Sequence, residues 1–253
     1  MLNLLGIQKQ NASQKNITMN IVITGASRGI GFELAKEFAS LGANNIVAIS
    51  RDESKLKELK SACIRENVEA HLYPLVLDVT TLKTSDNILA NRIKEHFQEI
   101  DIVINNAGYL VNKPFEKIEE QEVTQTISTN FTSVISVTQQ LIPMLKEGSH
   151  VVNISSMGGV QGSQKFPGLS VYSASKAALA VLTECLAEEL KHTGIVFNCL
   201  ALGAVNTEML NDAFPDYKAP VSASEMARFI AQFALTGQKM FNGKILPVST
   251  STP

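Results

Sequence analysis

Tyr172 and Lys176 stand four residues apart at the start of a stretch with helical periodicity, so both side chains leave one face about one turn apart. A phenol with an ordinary pKa near 10 is a poor base at neutral pH, and a neighbouring ammonium favours the phenolate and brings proton transfer closer to the working range. Such a pair can exchange a proton with an alcohol or carbonyl oxygen. Tyr172 gives the proton when a carbonyl is reduced and takes it back when the alcohol is oxidised. Ser155 and Ser156 end an apolar run of strand length upstream, and either hydroxyl can hydrogen-bond the same oxygen and stabilise the charge that develops there.

The second cluster is Thr24-Gly25-Ala26-Ser27-Arg28-Gly29-Ile30-Gly31, which follows the first apolar run and opens a helical pattern with Leu34, Ala35 and Phe38 on its apolar face. Glycine at these places permits a tight turn, lets the backbone approach a pyrophosphate, and packs helix closely on strand, with phosphate charge resting at the helix N-terminus. The spacing is GxxxGxG rather than GxGxxG, and an ordinary three-glycine turn is the competing explanation. About 20 residues past the last glycine, where an NAD enzyme places a carboxylate for the ribose 2′-hydroxyl, the chain reads Ile49-Ser50-Arg51. Arg51 and Arg28 can hold a 2′-phosphate through planar, charge-assisted hydrogen bonds, which favours NADP(H). The alternative is that both arginines are solvated and Asp52 takes the ribose.

These groups need a scaffold that brings strand ends together. From Asn20 onward, strand-length apolar runs at 21–24, 45–50, 70–77, 102–105, 150–155, 195–200 and 244–248 alternate with helical patterns at 29–41, 53–67, 82–98, 119–146, 171–191 and 223–235. Strands that alternate with helices in this way form a parallel sheet covered on both faces. No linker or fixed-period repeat interrupts the series. The reading is a single α/β domain over 19–253, with a doubly wound parallel sheet of about seven strands, behind a flexible leader at 1–18 rich in Asn, Gln and Lys.

Asn105-Asn106-Ala107-Gly108 closes the fourth strand, and Tyr172-Ser173-Ala174-Ser175-Lys176 opens the fifth helical pattern. With TGASRGIG before them and Ser155-Ser156 between, in this order, the chain resembles the short-chain dehydrogenase/reductase family from Met19 to about Gly243. The resemblance implies a Rossmann-type domain that binds its cofactor through Gly25, Ser27, Arg28, Gly29, Ile30, Gly31 and Arg51. It also implies Asp78 and Val79 near the adenine, and Asn106, Ala107 and Gly108 near the ribose. Its catalytic group would be Asn130, Ser156, Tyr172 and Lys176, with Asn130 kinking its helix and holding a proton-relay water, and Lys176 also on the nicotinamide ribose. Leu202-Gly203-Ala204-Val205-Asn206-Thr207 is similar to the family's Pro-Gly-x-x-x-Thr stretch over the nicotinamide, which brings in Val205 and Thr207 and puts Leu202 where the proline would be. Ser156 and Tyr172 lie sixteen residues apart, a few more than usual, and 162–168 reads as a small insertion. The long helical patterns resemble the family's association surfaces, which implies a homodimer or homotetramer.

Composition bounds the partners. A net charge of −2 with no run of lysines or arginines leaves no basic face for nucleic acid. The longest apolar runs are about half a membrane span and are interrupted, and the N-terminus lacks a secretory pattern, so no membrane partner and a cytoplasmic setting are expected. Cys63, Cys185 and Cys199 read as reduced, mostly buried thiols, and His71, His96, His150 and His192 lack ligand spacing, so no catalytic metal is expected. Met209, Leu210, Phe214 and Tyr217 fall in an expected loop between Glu208 and Ser222 and face Tyr109, Leu110, Met157 and Phe166. That wall fits a small to medium, partly apolar carbonyl or alcohol, or else is ordinary core. Two rivals stand beside the reductase: a catalytically idle NADP-binding redox sensor, and a sugar-nucleotide epimerase or dehydratase. Only about 75 residues follow Lys176, short for the substrate domain that the second requires.

Overall fold

A computed structural model of the protein describes residues 18–42 and 44–250, so the expected leader, but for its last residue, lies outside the described residues. The first half runs β1 (Asn20–Thr24), α1 (Gly29–Ser40), β2 (Asn45–Ser50), α2 (Glu53–Glu66), β3 (His71–Val76), α3 (Ile88–Lys94) and β4 (Ile100–Asn105). The second runs α4 (Glu120–Ile127), α5 (Ser133–Leu141), β5 (Leu145–Ser156), α6 (Ser170–Glu189), β6 (Val196–Leu202), β7 (Val205–Asn206), α7 (Glu208–Ala213), β8 (Val221–Ser222), α8 (Ala223–Thr236) and β9 (Lys244–Val248).

The apolar runs form strands because side chains alternate between two cores. Ile21 and Ile23 of β1 pack with Leu34 and Phe38 of α1 and Ile230 of α8, whereas Val22 packs on the other face with Ile93 of α3 and Val137 of α5. A strand buried on both faces needs no polar side, hence the continuous Ile-Val-Ile run. Seven strands pair in the order β3-β2-β1-β4-β5-β6-β9, all parallel. The order reverses between β1 and β4, and a crevice opens there at the C-terminal ends of the strands. This is the single-domain, doubly wound Rossmann-type architecture that the alternation implied.

Three helical or loop expectations change. The pattern at 82–98 yields only α3, because Asp78 and Thr81 bond locally in a short turn and the Leu89 amide is taken by the Gln140 side chain at 2.9 Å, which delays the helix. The pattern at 119–146 breaks into α4, a π turn at Ser128–Thr132, α5 and a short 3-10 turn that holds Pro143, after which β5 begins five residues earlier than expected. The expected loop between Glu208 and Ser222 contains α7, capped by the Thr207 hydroxyl, and β8, which pairs with β7.

Leu202 also has a structural consequence. It pairs with Ser156 on one side and Val248 on the other, so β6 runs two residues past the expected Leu200. A proline would lack the amide for such a ladder. Cys63 and Cys199 are buried, but Cys185 is exposed on the outer side of α6, against the expectation of a buried thiol. No helix among the described residues is long and apolar enough to cross a membrane.

Candidate active site

Parallel pairing of β1 with β4 sets the Thr24 hydroxyl under the following turn, where it accepts from the Asn106 and Ala107 amides, each at 3.1 Å. Asn106 reciprocates by donating its side-chain amide to the Thr24 and Gly25 carbonyls at 3.1 Å. The two turns are thereby locked together. Gly25 has φ +69°, and a Cβ there would come within 2.7 Å of Ala107 Cα, so only glycine fits. Gly29, at φ +56°, opens α1.

A cleft of about 800 Å³ lies above this seam. Gly25, Ser27, Arg28, Gly29, Ile30, Arg51, Asp78, Val79, Asn106, Ala107, Gly108, Val205 and Thr207 line it, together with Ser156, Tyr172 and Lys176. Two of the expected residues sit elsewhere. Gly31 is under the turn, where a Cβ would collide with the Gly25 carbonyl oxygen, so it supports the cradle and does not face the cleft. Asn130 is fully buried behind the cleft wall, inside the π turn.

Asn130 uses its whole side chain. Its Oδ1 accepts from the Tyr109 amide at 2.7 Å, and its Nδ2 donates to the Tyr109 carbonyl at 2.8 Å and to the Ser175 hydroxyl at 2.9 Å. The helix break thus ties the loop after β4 to α6. Ser175 was not singled out from the sequence; only its place inside the Tyr-to-Lys motif could have pointed to it.

The serine pair separates by pleat. Ser155 is buried and donates to the Lys176 carbonyl at 2.8 Å, fixing α6 against β5. Ser156 turns to the cleft, accepts from the Gly158 amide at 3.3 Å and lies within hydrogen-bonding reach of the Tyr172 phenol. Lys176 is buried, donates to the Ile154 carbonyl at 2.8 Å, and holds its Nζ 5.9 Å from the centre of the Tyr172 ring.

Burial pushes the Tyr172 phenol up to about 12, with the Ser156 hydrogen bond pulling the other way. The expected lowering by Lys176 is absent, because desolvation dominates and itself drops Lys176 to about 8. The phenol is held as a proton donor. Asp78 lies below the usual carboxylate range: its burial opposes this, but hydrogen bonds from Thr80 and the Arg51 guanidinium outweigh it.

Both arginines at the mouth are paired. Arg51 Nη1 is 3.6 Å from Asp78, and Arg28 Nη1 is 3.3 Å from Glu208 and 3.8 Å from Asp212 on α7. On the far side, Leu110, Met157, Phe166, Met209, Leu210, Phe214 and Tyr217 line the cleft as expected, whereas Tyr109 faces an adjoining groove. The segment 162–168 forms part of this wall. It is tied down where the Lys113 amide donates to Gly168 at 3.1 Å, and Asn112 next to it donates to the Ala213 carbonyl at 2.8 Å.

The family model for short chain dehydrogenases matches residues 19–218. The chain belongs to the short-chain dehydrogenase/reductase family and is an oxidoreductase of that family. It is 30% identical to the 3-oxoacyl-(acyl-carrier-protein) reductase FabG of Chlamydia trachomatis serovar D, over 92% of this chain and 96% of that one. It is 33% identical to an uncharacterised oxidoreductase of Staphylococcus saprophyticus, over 76% and 80%. Among solved structures, a short chain dehydrogenase of Shigella flexneri 2a complexed with NADP superposes with a TM-score of 0.82 at 26% identity, covering 92% and 99% of the chains.

Proposed function

We propose that the domain over 19–253 is an NADP(H)-dependent oxidoreductase acting on a small to medium, partly apolar carbonyl or alcohol. The observation that carries this reading is the convergence of Ser156, Tyr172 and Lys176 on one cleft with the glycine turn. The cofactor's residues fit: Gly25 and Gly29 turn the backbone at positive φ, a Cβ on Gly29 would stand 3.4 Å from Thr207 where both line the cleft, and Arg28 and Arg51 supply cations where no carboxylate ends β2. In this reading Gly25, Ser27, Gly29 and Ile30 hold the pyrophosphate, Asp78 and Val79 flank the adenine, and Val205 and Thr207 cover the nicotinamide. The NADP complex of the Shigella flexneri relative supports the choice of cofactor.

When bound, the nicotinamide supplies or accepts the hydride. Tyr172 donates its proton to the carbonyl oxygen during reduction and recovers it in oxidation. Ser156 hydrogen-bonds that oxygen as charge builds. Lys176, charged below about pH 8, stands with its Nζ 5.9 Å from the centre of the phenol ring and would hold the nicotinamide ribose. Asn130 holds the π turn against α6 so that Tyr172 and Lys176 keep their setting. The apolar wall of Met157, Phe166, Met209 and Phe214 excludes water from the reacting carbon.

The test follows reduced-nicotinamide absorbance with NADPH and NADH across ketones, aldehydes and quinones, for wild type beside Tyr172→Phe. Turnover with NADPH that Tyr172→Phe loses at least about a hundredfold, while NADPH binding persists, is the expected result. Tight NADPH binding without turnover on any carbonyl would favour the redox sensor instead. The same reading places the protein in the cytoplasm as a homodimer or homotetramer, and a monomer mass in gel filtration would overturn the assembly.

A further inference from the structure

We propose that Glu208 and Asp212 on α7 are cofactor-discriminating residues: they hold Arg28 in ion pairs and yield it to a 2′-phosphate, so that NADP(H) loosens the cover of the substrate wall and NAD(H) does not. The inference rests on the cofactor reading above and adds a lid to it.

The charge arrangement comes first. Arg28 caps α1 with an extended backbone, and its guanidinium spans Glu208 at 3.3 Å and Asp212 at 3.8 Å. Those two carboxylates are four residues apart on one helix, where like charges repel. Arg28 offsets that repulsion, and Lys55 adds a second cation near Glu208. Arg28, Arg51, Lys55 and Glu208 border the same mouth of the cleft.

The second observation is how little else holds α7. The helix has six residues and none of them is buried. Its attachments are mainly polar: the Thr207 cap at its start, the Arg28 pairs along its side, Asn211 on the Asn206 side chain at 3.2 Å, and Asn112 on the Ala213 carbonyl at its end, with Met209 and Leu210 only half-buried. An element without buried apolar contacts opens at low free energy. Met209 and Leu210 ride on it and line the cleft, so its position shapes the substrate wall.

A phosphate at this mouth competes directly for the same guanidinium. It offers a planar cation several oxygens with more charge than either carboxylate, and its own charge repels both acids. A ribose hydroxyl does neither. NADP(H) therefore exchanges one set of partners on Arg28 for another and takes from Glu208 and Asp212 the cation they share, with only Lys55 left near Glu208, whereas NAD(H) leaves the pairs intact.

The experiment is amide hydrogen exchange over 205–217, without cofactor, with NADPH and with NADH, for wild type and for the double variant Glu208→Gln/Asp212→Asn, beside the Kd for each cofactor. Both cofactors share the nicotinamide, so any difference between them reports the phosphate. Exchange at 208–213 is expected to be faster with NADPH than with NADH in wild type, and the difference should vanish in the variant. The variant should bind NADPH about three- to tenfold more tightly, as loss of two exposed competitors implies, with NADH unchanged. Equal exchange with both cofactors, or an NADPH Kd that is unchanged or weaker in the variant, overturns the proposal while preferential NADPH binding leaves the cofactor reading standing. Wild type that binds NADH but not NADPH overturns both.

Discussion

Asn130 donates from its side-chain amide to the Ser175 hydroxyl at 2.9 Å, joining the π turn to α6 at the position just before Lys176. The same amide group holds both backbone groups of Tyr109. Asn130→Ala removes three hydrogen bonds, two to the half-buried Tyr109 backbone and one to the Ser175 hydroxyl, which keeps its bond to the Tyr172 carbonyl, each worth about 1 kcal/mol. Chemical denaturation should show a loss of about 3 kcal/mol, and kcat should fall more than the cofactor Kd changes, since the glycine cradle is not touched. Ser175→Ala removes one of these bonds and should cost about 1 kcal/mol.

Gly31 lies under the turn and not on the cleft, yet its substitution should abolish cofactor binding. Alanine there drives into the Gly25 carbonyl and into the Asn106 side-chain amide that is bonded to it. Overpacking against backbone costs about 1–3 kcal/mol, and the cradle shifts with it. Nicotinamide fluorescence titration of a folded Gly31→Ala protein checks this; an unchanged Kd would refute the packing argument.

Lys176 loses its charge as pH rises through about 8, whereas Tyr172, pushed up to about 12, keeps its proton. The alkaline limb of kcat/KM for carbonyl reduction should therefore begin near pH 8 and belong to the lysine. Lys176→Met should give a low, flat profile over that limb. A limb that persists in the variant would assign it elsewhere.

His150 lies in the core, donating from Nδ1 to the Ala234 carbonyl at 2.9 Å and accepting from Asn198 at 3.0 Å, and burial drops it to about 4. The unfolded chain binds this proton near pH 6.5 and the folded chain only near 4, so the unfolded state holds more protons in between. Stability must then fall as pH falls through that window, by about 3 kcal/mol in all for this group. Denaturation of wild type and His150→Gln at pH 7 and pH 4.5 measures it: the difference between the two proteins should shrink or reverse at the lower pH.

Much of the scaffold was readable because its rules are local. The Ile21-Val22-Ile23 run and the glycine turn behind it declare a strand buried on both faces and a helix start, and β2 and β9 came out at their expected ends. Apart from the kink at Asn130, which the family resemblance alone implied, the breaks were not readable. A π turn preserves the apolar spacing on either side of it, so 119–146 looks like one helix, and the delay of α3 depends on Gln140, which is 51 residues from the amide that it caps. Within the site, residue types at motif spacing pointed to Tyr172, Lys176 and the Ser155-Ser156 pair, of which the resemblance chose Ser156, but not to Thr24 or Ser175, whose hydroxyls act on neighbours distant in the chain or hidden inside a motif. Arg28 was legible as a cation inside the glycine turn. Its pairing with Glu208 and Asp212 came only with the fold, since 180 residues separate it from Glu208.

The π turn at Ser128–Thr132 carries a consequence for how this chain tolerates change in length. One residue advances an α-helix by about 100°, so the extra residue in the turn sets α4 and α5 out of angular phase with each other. Removing any single residue between 128 and 132 would let the two fuse into one regular rod and swing Asn130 away from Ser175, whatever residue was lost. Along this segment the count of residues, beside the identity of Asn130, keeps the wall behind Lys176 in place, and a one-codon deletion should do more harm than most substitutions at its other positions.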